Sequence, residues 1–270
     1  MLVREQLICS TQVHVDVDNR DLAIAAGHRI APWLPALPAL LALSASSPFW
    51  RGTDTGYASY RTLIGRRWPT SGALPGFASA ADYDRAVADL VRSGVITDPG
   101  MLYFDVRPSA HLPTLELRIA DSCPRLEDVV LLAGLFRALV IWAAAAEYEG
   151  SPLVPVRHEL LQAATWRAAR SGLQGDLVDP VAATPVPARR LIEQLLAELR
   201  PALESTGDWE LVIELTSSAL ARGGSAARQR AAQASGGLRV VVDTLVAETR
   251  ATPTWLHDTT PARAAASATR

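Results

Sequence analysis

Three short stretches of the chain alternate apolar and polar residues with the two-residue period of a β-strand. In residues 8–17, Val13, Val15 and Val17 fall on one side, and Gln12, His14 and Asp16 on the other. In 102–107 the two sides are Leu102, Phe104 and Val106 against Tyr103, Asp105 and Arg107. In 114–120 they are Leu115, Leu117 and Ile119 against Thr114, Glu116 and Arg118. The last two stretches predict an antiparallel pair around a turn at 109–113. Between strands, Asp18 or Asn19 can cap a helix running through Leu22, Ile24 and Ile30 until Pro32, and a second helical piece continues toward Leu43. Helical spacing returns in 80–93 with Tyr83, Val87, Leu90 and Val91, and Asp98-Pro99-Gly100 reads as a turn.

From Leu126 onward the pattern is helical, with segments expected at 127–148, 156–170, 187–203, 208–221, 226–234 and 238–249. Residues 44–75 are rich in Ser, Gly, Pro and aromatics, too long and irregular for a plain connector, and loops of that kind usually bind something. Residues 251–270 form a polar Ala/Thr/Pro/Arg tail expected to be disordered. No internal repeat is visible. The pattern predicts an α+β fold: an antiparallel sheet with helices on its apolar face and a helical C-terminal part.

Composition narrows the function. At 270 residues and 49% hydrophobic, the chain can bury a substantial core. A net charge of −2 gives no general drive toward nucleic acid or an anionic membrane. The longest apolar candidate for a span, 33–43, is short and broken by Pro35 and Pro38, so no membrane partner is expected. Residues 1–10 include Arg4 and Glu5 and do not read as a signal peptide. Cys9 and Cys123 are far apart and form no metal or disulfide motif, which fits a reducing cytoplasm. They read as small buried hydrophobes rather than nucleophiles. All 26 basic residues are Arg, which removes any phosphate loop that needs Lys. Neither GxSxG nor HExxH occurs.

The polar sides of the three strands carry Gln12, His14, Asp16, Tyr103, Asp105, Arg107, Glu116 and Arg118. Carboxylate and imidazole can take a divalent cation, and guanidinium forks bind phosphoryl or carboxylate groups. A solvated sheet face would show the same alternation. Asp-x-Arg and Glu-x-Arg at matching positions on successive strands favour a site over a wet surface. His14 taken alone reads more readily as a hydrogen-bonded bystander than as a ligand.

The strings Gln12-Val13-His14-Val15, LSASSPFW (43–50), GTDTGYASYR (52–61), YFDVRP (103–108) and TLELRIAD (114–121) occur in an order and spacing that resemble the type 2 glutamate-cysteine ligases. Trp166-Arg167-Ala168-Ala169-Arg170, Gly207-Asp208 and Arg228-Gln229-Arg230 extend the resemblance over residues 5–250. It implies a glutamine synthetase-like catalytic domain over 1–250, its sheet curved around a funnel. It also implies an ATP-dependent carboxylate-amine ligase that uses Mg2+ or Mn2+. ATP would phosphorylate a carboxylate such as the γ-carboxylate of glutamate, and an amine such as cysteine would displace the phosphate. Homo-oligomers are common in that fold family.

Carried over by resemblance, Glu116 would ligate a metal, Arg118 would contact phosphate or substrate, and Arg107 would contact the ATP phosphates. His14 matches the second position of the family's His-x-His strand, a place for metal and nucleotide, with Gln12 where the first His would stand. Arg61, Tyr57 and Ser59 would contact the substrate carboxylate. Arg228 and Arg230 would reach nucleotide, or else sit on a solvated helix face. The family's acidic Gly-x-Glu-x-Glu strand has no counterpart in this sequence. A start assigned too far downstream, a remnant gene, or a half-site completed by another chain would each account for that.

Overall fold

The computed structural model describes residues 5–31 and 36–253; the expected disordered tail lies outside the described residues from 254 onward. The alternation in the first stretch produces β1 (Val13–Asp16), shorter than the expected 8–17. The side chain of Asn19 then accepts from the Leu22 amide at 2.9 Å and starts α1 (Arg20–Ile30). The next helix, α2 (Ala36–Ser44), is buried on all sides, as its nearly uninterrupted apolar sequence requires.

The long segment after α2 is not structureless. It holds a small ribbon of β2 (Phe49–Trp50) and β3 (Thr53–Asp54), a short helix α3 (Tyr60–Gly65) capped by Ser59, and β4 (Ser71–Gly72). After α4 (Ala80–Arg92), the stretch expected as one strand divides at Asp105. β5 (Tyr103–Phe104) runs parallel to β4, whereas β6 (Val106–Pro108) turns to pair with β7 (Thr114–Leu117). The division has a packing cause. Leu102 and Phe104 join a second core with Ile24, Leu74, Tyr83, Val87 and Ile96, while Val106 enters the main core.

β1, β7 and β6 form one antiparallel sheet in that order. Its register aligns Val13, Leu117 and Val106 in one cross-strand row and His14, Glu116 and Arg107 in the next. One face therefore presents Val and Leu to the helices, and the other collects the ionisable residues. The α+β class holds; the described sheet has three strands.

The apolar face rests on α1 and α5 (Leu126–Tyr148). α5 is long and apolar enough to cross a membrane, with a mean hydropathy of 2.2 over its most apolar window, so 33–43 is not the strongest such candidate. It packs against α1, α7 (Ala188–Ser205), α8 (Trp209–Arg222) and β1 as a core helix.

α6 (His158–Ser171) lies against α2 and leads into a hairpin of β8 (Asp176–Asp179) and β9 (Thr184–Pro187) that the Pro-rich sequence did not suggest. The last two expected helices are the halves of α9 (Ser225–Arg250), which breaks at Gly236 and Gly237. Gly237 has φ +79°, a conformation that favours glycine, and the reversal brings Arg228 Nε within 2.7 Å of Glu248 Oε1.

Candidate functional site

Glu116 stands in the middle strand of the sheet and is only 3% exposed; Arg107, its neighbour across β6, is 6% exposed. The β6 and β7 part of the polar face is therefore buried, whereas Gln12, His14 and Asp16 on β1 are exposed. Such burial is tolerable because the charges are paired. Arg107 Nε donates to Glu116 Oε2 at 3.1 Å, and its Nη1 donates to the Pro99 carbonyl at 2.9 Å. Arg118 donates to Glu116 Oε1 from the other side. With its amide assigned to suit these neighbours, Gln12 donates to Glu116 Oε1 at 2.9 Å and accepts from Arg118 at 3.2 Å. His14 Nε2 lies 3.8 Å from Glu116 Oε1, and its Nδ1 is 2.9 Å from the Thr114 hydroxyl.

Two guanidiniums thus share one carboxylate, a local excess of one positive charge. Burial, and then the neighbouring Arg107, pull the Arg118 guanidinium below its ordinary value, with Glu116 opposing. Arg66 adds a further pair, its Nη2 2.6 Å from Asp105 Oδ2 at the break between β5 and β6.

Gln12, His14 and Glu116, expected together as metal ligands, do come together, but not as a cation cage. Among the described residues no group of three His, Cys, Asp or Glu side chains could hold a metal ion. The single carboxylate present is already committed to two Arg residues, whereas Mg2+ needs a near-octahedral shell of oxygens. The described residues therefore do not fit Mg2+ or Mn2+ by themselves.

The expected substrate residues form a second group, built around an acid that sequence reasoning did not single out. Asp121 follows β7, is fully buried, and accepts from the Ser46 amide at 2.9 Å and from the Ser47 and Ser59 hydroxyls at 2.7 Å each. Its amide donates to Ser44 Oγ at 3.3 Å, and its carbonyl accepts from the Thr11 amide at 3.2 Å. Ser59 is thus an interior cap and anchor rather than an exposed ligand contact. Arg61 lies 3.7 Å from Asp121 and donates to the carbonyls of Arg118 at 2.9 Å and Ile119 at 3.1 Å. That ties the loop to the strand bearing Glu116. Burial lowers the Arg61 guanidinium from its ordinary value, and Asp121 opposes this. The signal that could have revealed Asp121 is the serine-rich loop itself, whose buried hydroxyls and amides need an acceptor.

Tyr57 sits half-buried, edge-on to Trp166 and beneath Arg170, whose guanidinium carbon is 5.4 Å from the ring centre. Arg230 joins this loop, holding both oxygens of Asp54 at 2.8 Å and the Tyr57 carbonyl at 2.8 Å. Arg228 instead fastens Glu248 and the Gly223 carbonyl. Both Arg residues have internal partners, so neither is a merely solvated side chain. Between them Gln229 is buried and donates to the Ser46 carbonyl at 2.8 Å.

Relatives give this arrangement a context. A relative from Frankia casuarinae, provisionally named glutamate-cysteine ligase 2-2, is 59% identical over 254 residues, covering 94% of this chain and 29% of its own length. One from Mycolicibacterium smegmatis with the same provisional name is 52% identical over 263 residues, covering 97% of this chain and 66% of that protein. The chain thus spans less than a third of the first relative and just under two thirds of the second. Among solved structures, the glutamate-cysteine ligase of Francisella tularensis in complex with AMP has a similar fold, with a TM-score of 0.57 at 11% identity over 88% of this chain and 60% of that one. The sequence model of glutamate-cysteine ligase family 2 matches residues 1–244, and the chain belongs to that family.

Proposed function

We propose that this chain belongs to an ATP-dependent carboxylate-amine ligase of the glutamate-cysteine ligase type. The observation that carries the reading is the buried Arg107–Glu116–Arg118 cluster, whose unbalanced positive charge suits a phosphoryl or carboxylate group. In the proposed reaction a glutamate carboxylate oxygen attacks the γ-phosphorus of ATP, and ADP leaves. The amine of the second substrate then attacks the acyl carbon, phosphate leaves, and the amine nitrogen loses a proton. Arg118, half-buried at the edge of the cluster, is the proposed contact to the transferring phosphoryl group. Glu116 holds its guanidinium in place, and Arg107 fixes Glu116 from the other side and adds to the positive field that stabilises charge in the transition state. Tyr57 and Arg61 are proposed to border the carboxylate substrate, with Ser59 and Asp121 fixing their loop. Arg230 is proposed to steady the same loop, with Arg228 further out toward nucleotide.

ATP, a divalent cation, glutamate and an amine such as cysteine are the proposed ligands, in a cytoplasmic protein that self-associates or stays monomeric. The absence of a metal-holding group among the described residues favours a second reading for the chain alone, a half-site without turnover. One experiment addresses both. ADP release is measured with Mg-ATP, glutamate and cysteine for the 270-residue chain, and for the chain joined to the part of the M. smegmatis relative that it does not match. We expect none from the first and clear release from the second. Absence of ADP from the joined, folded protein would sink the ligase reading.

A further inference from the structure

We infer that the second half of α9, residues 238–250, is an interface between two copies of this chain, packed antiparallel. Past the break at Gly236 and Gly237, Val241 turns inward and is 4% exposed, and Glu248 is tied to Arg228. The opposite side carries Leu238, Val242 and Val246, which are 40%, 58% and 42% exposed. A spacing of four residues puts all three on one helical stripe. Single exposed apolar residues are ordinary, but a row of them on successive turns marks an interaction surface.

The charges beside the stripe select the occupant. Arg239 and Asp243 follow Leu238 and Val242 by one position, both are exposed, and neither forms a hydrogen bond or ion pair among the described residues. In an antiparallel pair centred on Val242, the two-fold axis brings this flank of one helix against the same flank of the other. With a rise of about 1.5 Å per residue, Arg239 then lies within about 3 Å, along the axis, of Asp243 in the second copy, and the pairing occurs twice. A parallel pair would set both charges against the other flank, Val241 and Leu245, which has none. The stripe is thus self-complementary in one orientation, as an interface between identical copies requires.

The surface also borders the loop after α2. Leu238 Cδ1 would stand 3.6 Å from a Cβ added to Gly52, so one end of the stripe abuts the turn between β2 and β3. Arg230, in the first half of α9, holds Asp54 in that same loop. A second copy would therefore meet the outer side of the segment that carries Tyr57 and Arg61. The inference rests on packing and charge and not on the ligase reading.

The test follows the full 270-residue chain by sedimentation over a wide range of concentration. We expect a reversible monomer–dimer equilibrium, with amide exchange around Val242 slowing as the dimer forms. Val242→Glu should leave a monomer that circular dichroism shows folded, and Leu238→Glu gives an independent variant should the first not fold. Arg239→Asp and Asp243→Arg should each raise the dissociation constant by a factor on the order of 10 or more, because like charges then meet twice. Mixed together, the two single variants should recover dimerisation as a heterodimer, since each supplies the charge the other lacks. Val181→Arg, on the exposed turn between β8 and β9, should dimerise as wild type. A chain that stays monomeric throughout, a dimer indifferent to the stripe variants, or no recovery on mixing would each overturn the inference. So would slow exchange around Val242 in a monomer that is lost on removing residues 254–270, which would mean that this chain covers its own stripe. None of these readouts depends on ADP release.

Discussion

Arg107 and Glu116 are cross-strand partners in the ladder between β6 and β7, joined Nε to Oε2 at 3.1 Å, and both are buried. Because Arg118 holds the other carboxylate oxygen, Glu116 is the counter-charge of two guanidiniums. Glu116→Gln keeps the shape and removes that charge. Breaking a buried pair by removing one partner costs about 3–5 kcal/mol. Urea unfolding of the 270-residue chain should show a loss of that order. In the joined protein, at a temperature where circular dichroism shows it folded, turnover should fall by a factor on the order of 10². Unchanged stability and turnover would mean that the pairing is incidental.

Arg118 donates to Glu116 and Gln12 through Nη1 alone, and the rest of its planar guanidinium, which Lys lacks, is the proposed contact to the phosphoryl group. Arg118→Lys should therefore impair ADP release in the joined protein severely. Arg125→Lys is the comparison. Arg125 pairs with Glu127 at the start of α5, and its buried Nε has no acceptor, so Lys should change stability by no more than about 0.5 kcal/mol. Similar effects of the two substitutions on turnover would count against a site at Arg118.

Asp121 supplies a pH signature. Burial pushes its carboxyl above the ordinary value of 3.8, although Arg61, Ser46, Ser59 and Ser47 pull the other way. A carboxyl whose folded value is raised contributes stability that is fully present below the unfolded value and is lost as pH rises through the folded one. Asn resembles the protonated form and does not titrate. The stability of wild type relative to Asp121→Asn should thus decline as pH rises above 3.8, as read from urea unfolding at a series of pH values. A difference independent of pH would show that the carboxyl titrates as it does in the unfolded chain.

Gly237 turns the chain back within α9 at φ +79° and ψ −172°, a region essentially confined to glycine. Gly237→Ala should cost about 1–3 kcal/mol in a chemical melt. It should also loosen the Arg228–Glu248 pair that the reversal creates, so Glu248→Gln should cost less in the Gly237→Ala background than in wild type. Fully additive losses would show that the turn and the pair are independent.

Local periodicity was enough to place β1, β7 and the longer helices, though not the short α3 inside the 44–75 segment, because side-chain direction repeats every two residues in a strand and every 3.6 in a helix. It also put His14, Arg107 and Glu116 on one face and foresaw two helical segments divided at Gly236 and Gly237. The match of order and spacing in five short strings was enough to identify the family. What periodicity could not supply was whether that polar face is wet or buried, since the answer lies in which segments fold against it, such as the turn whose Pro99 carbonyl accepts from Arg107. Nor could it foresee the break at Asp105, set by two separate cores competing for Phe104 and Val106. The gathering of Ser44, Ser46, Ser47 and Ser59 around Asp121 depends on contacts spanning more than sixty residues. Sequence by itself fixed the direction of each side chain relative to its own element. Only tertiary packing decided what each one meets, because burial and pairing are properties of what folds against a residue and not of the residue.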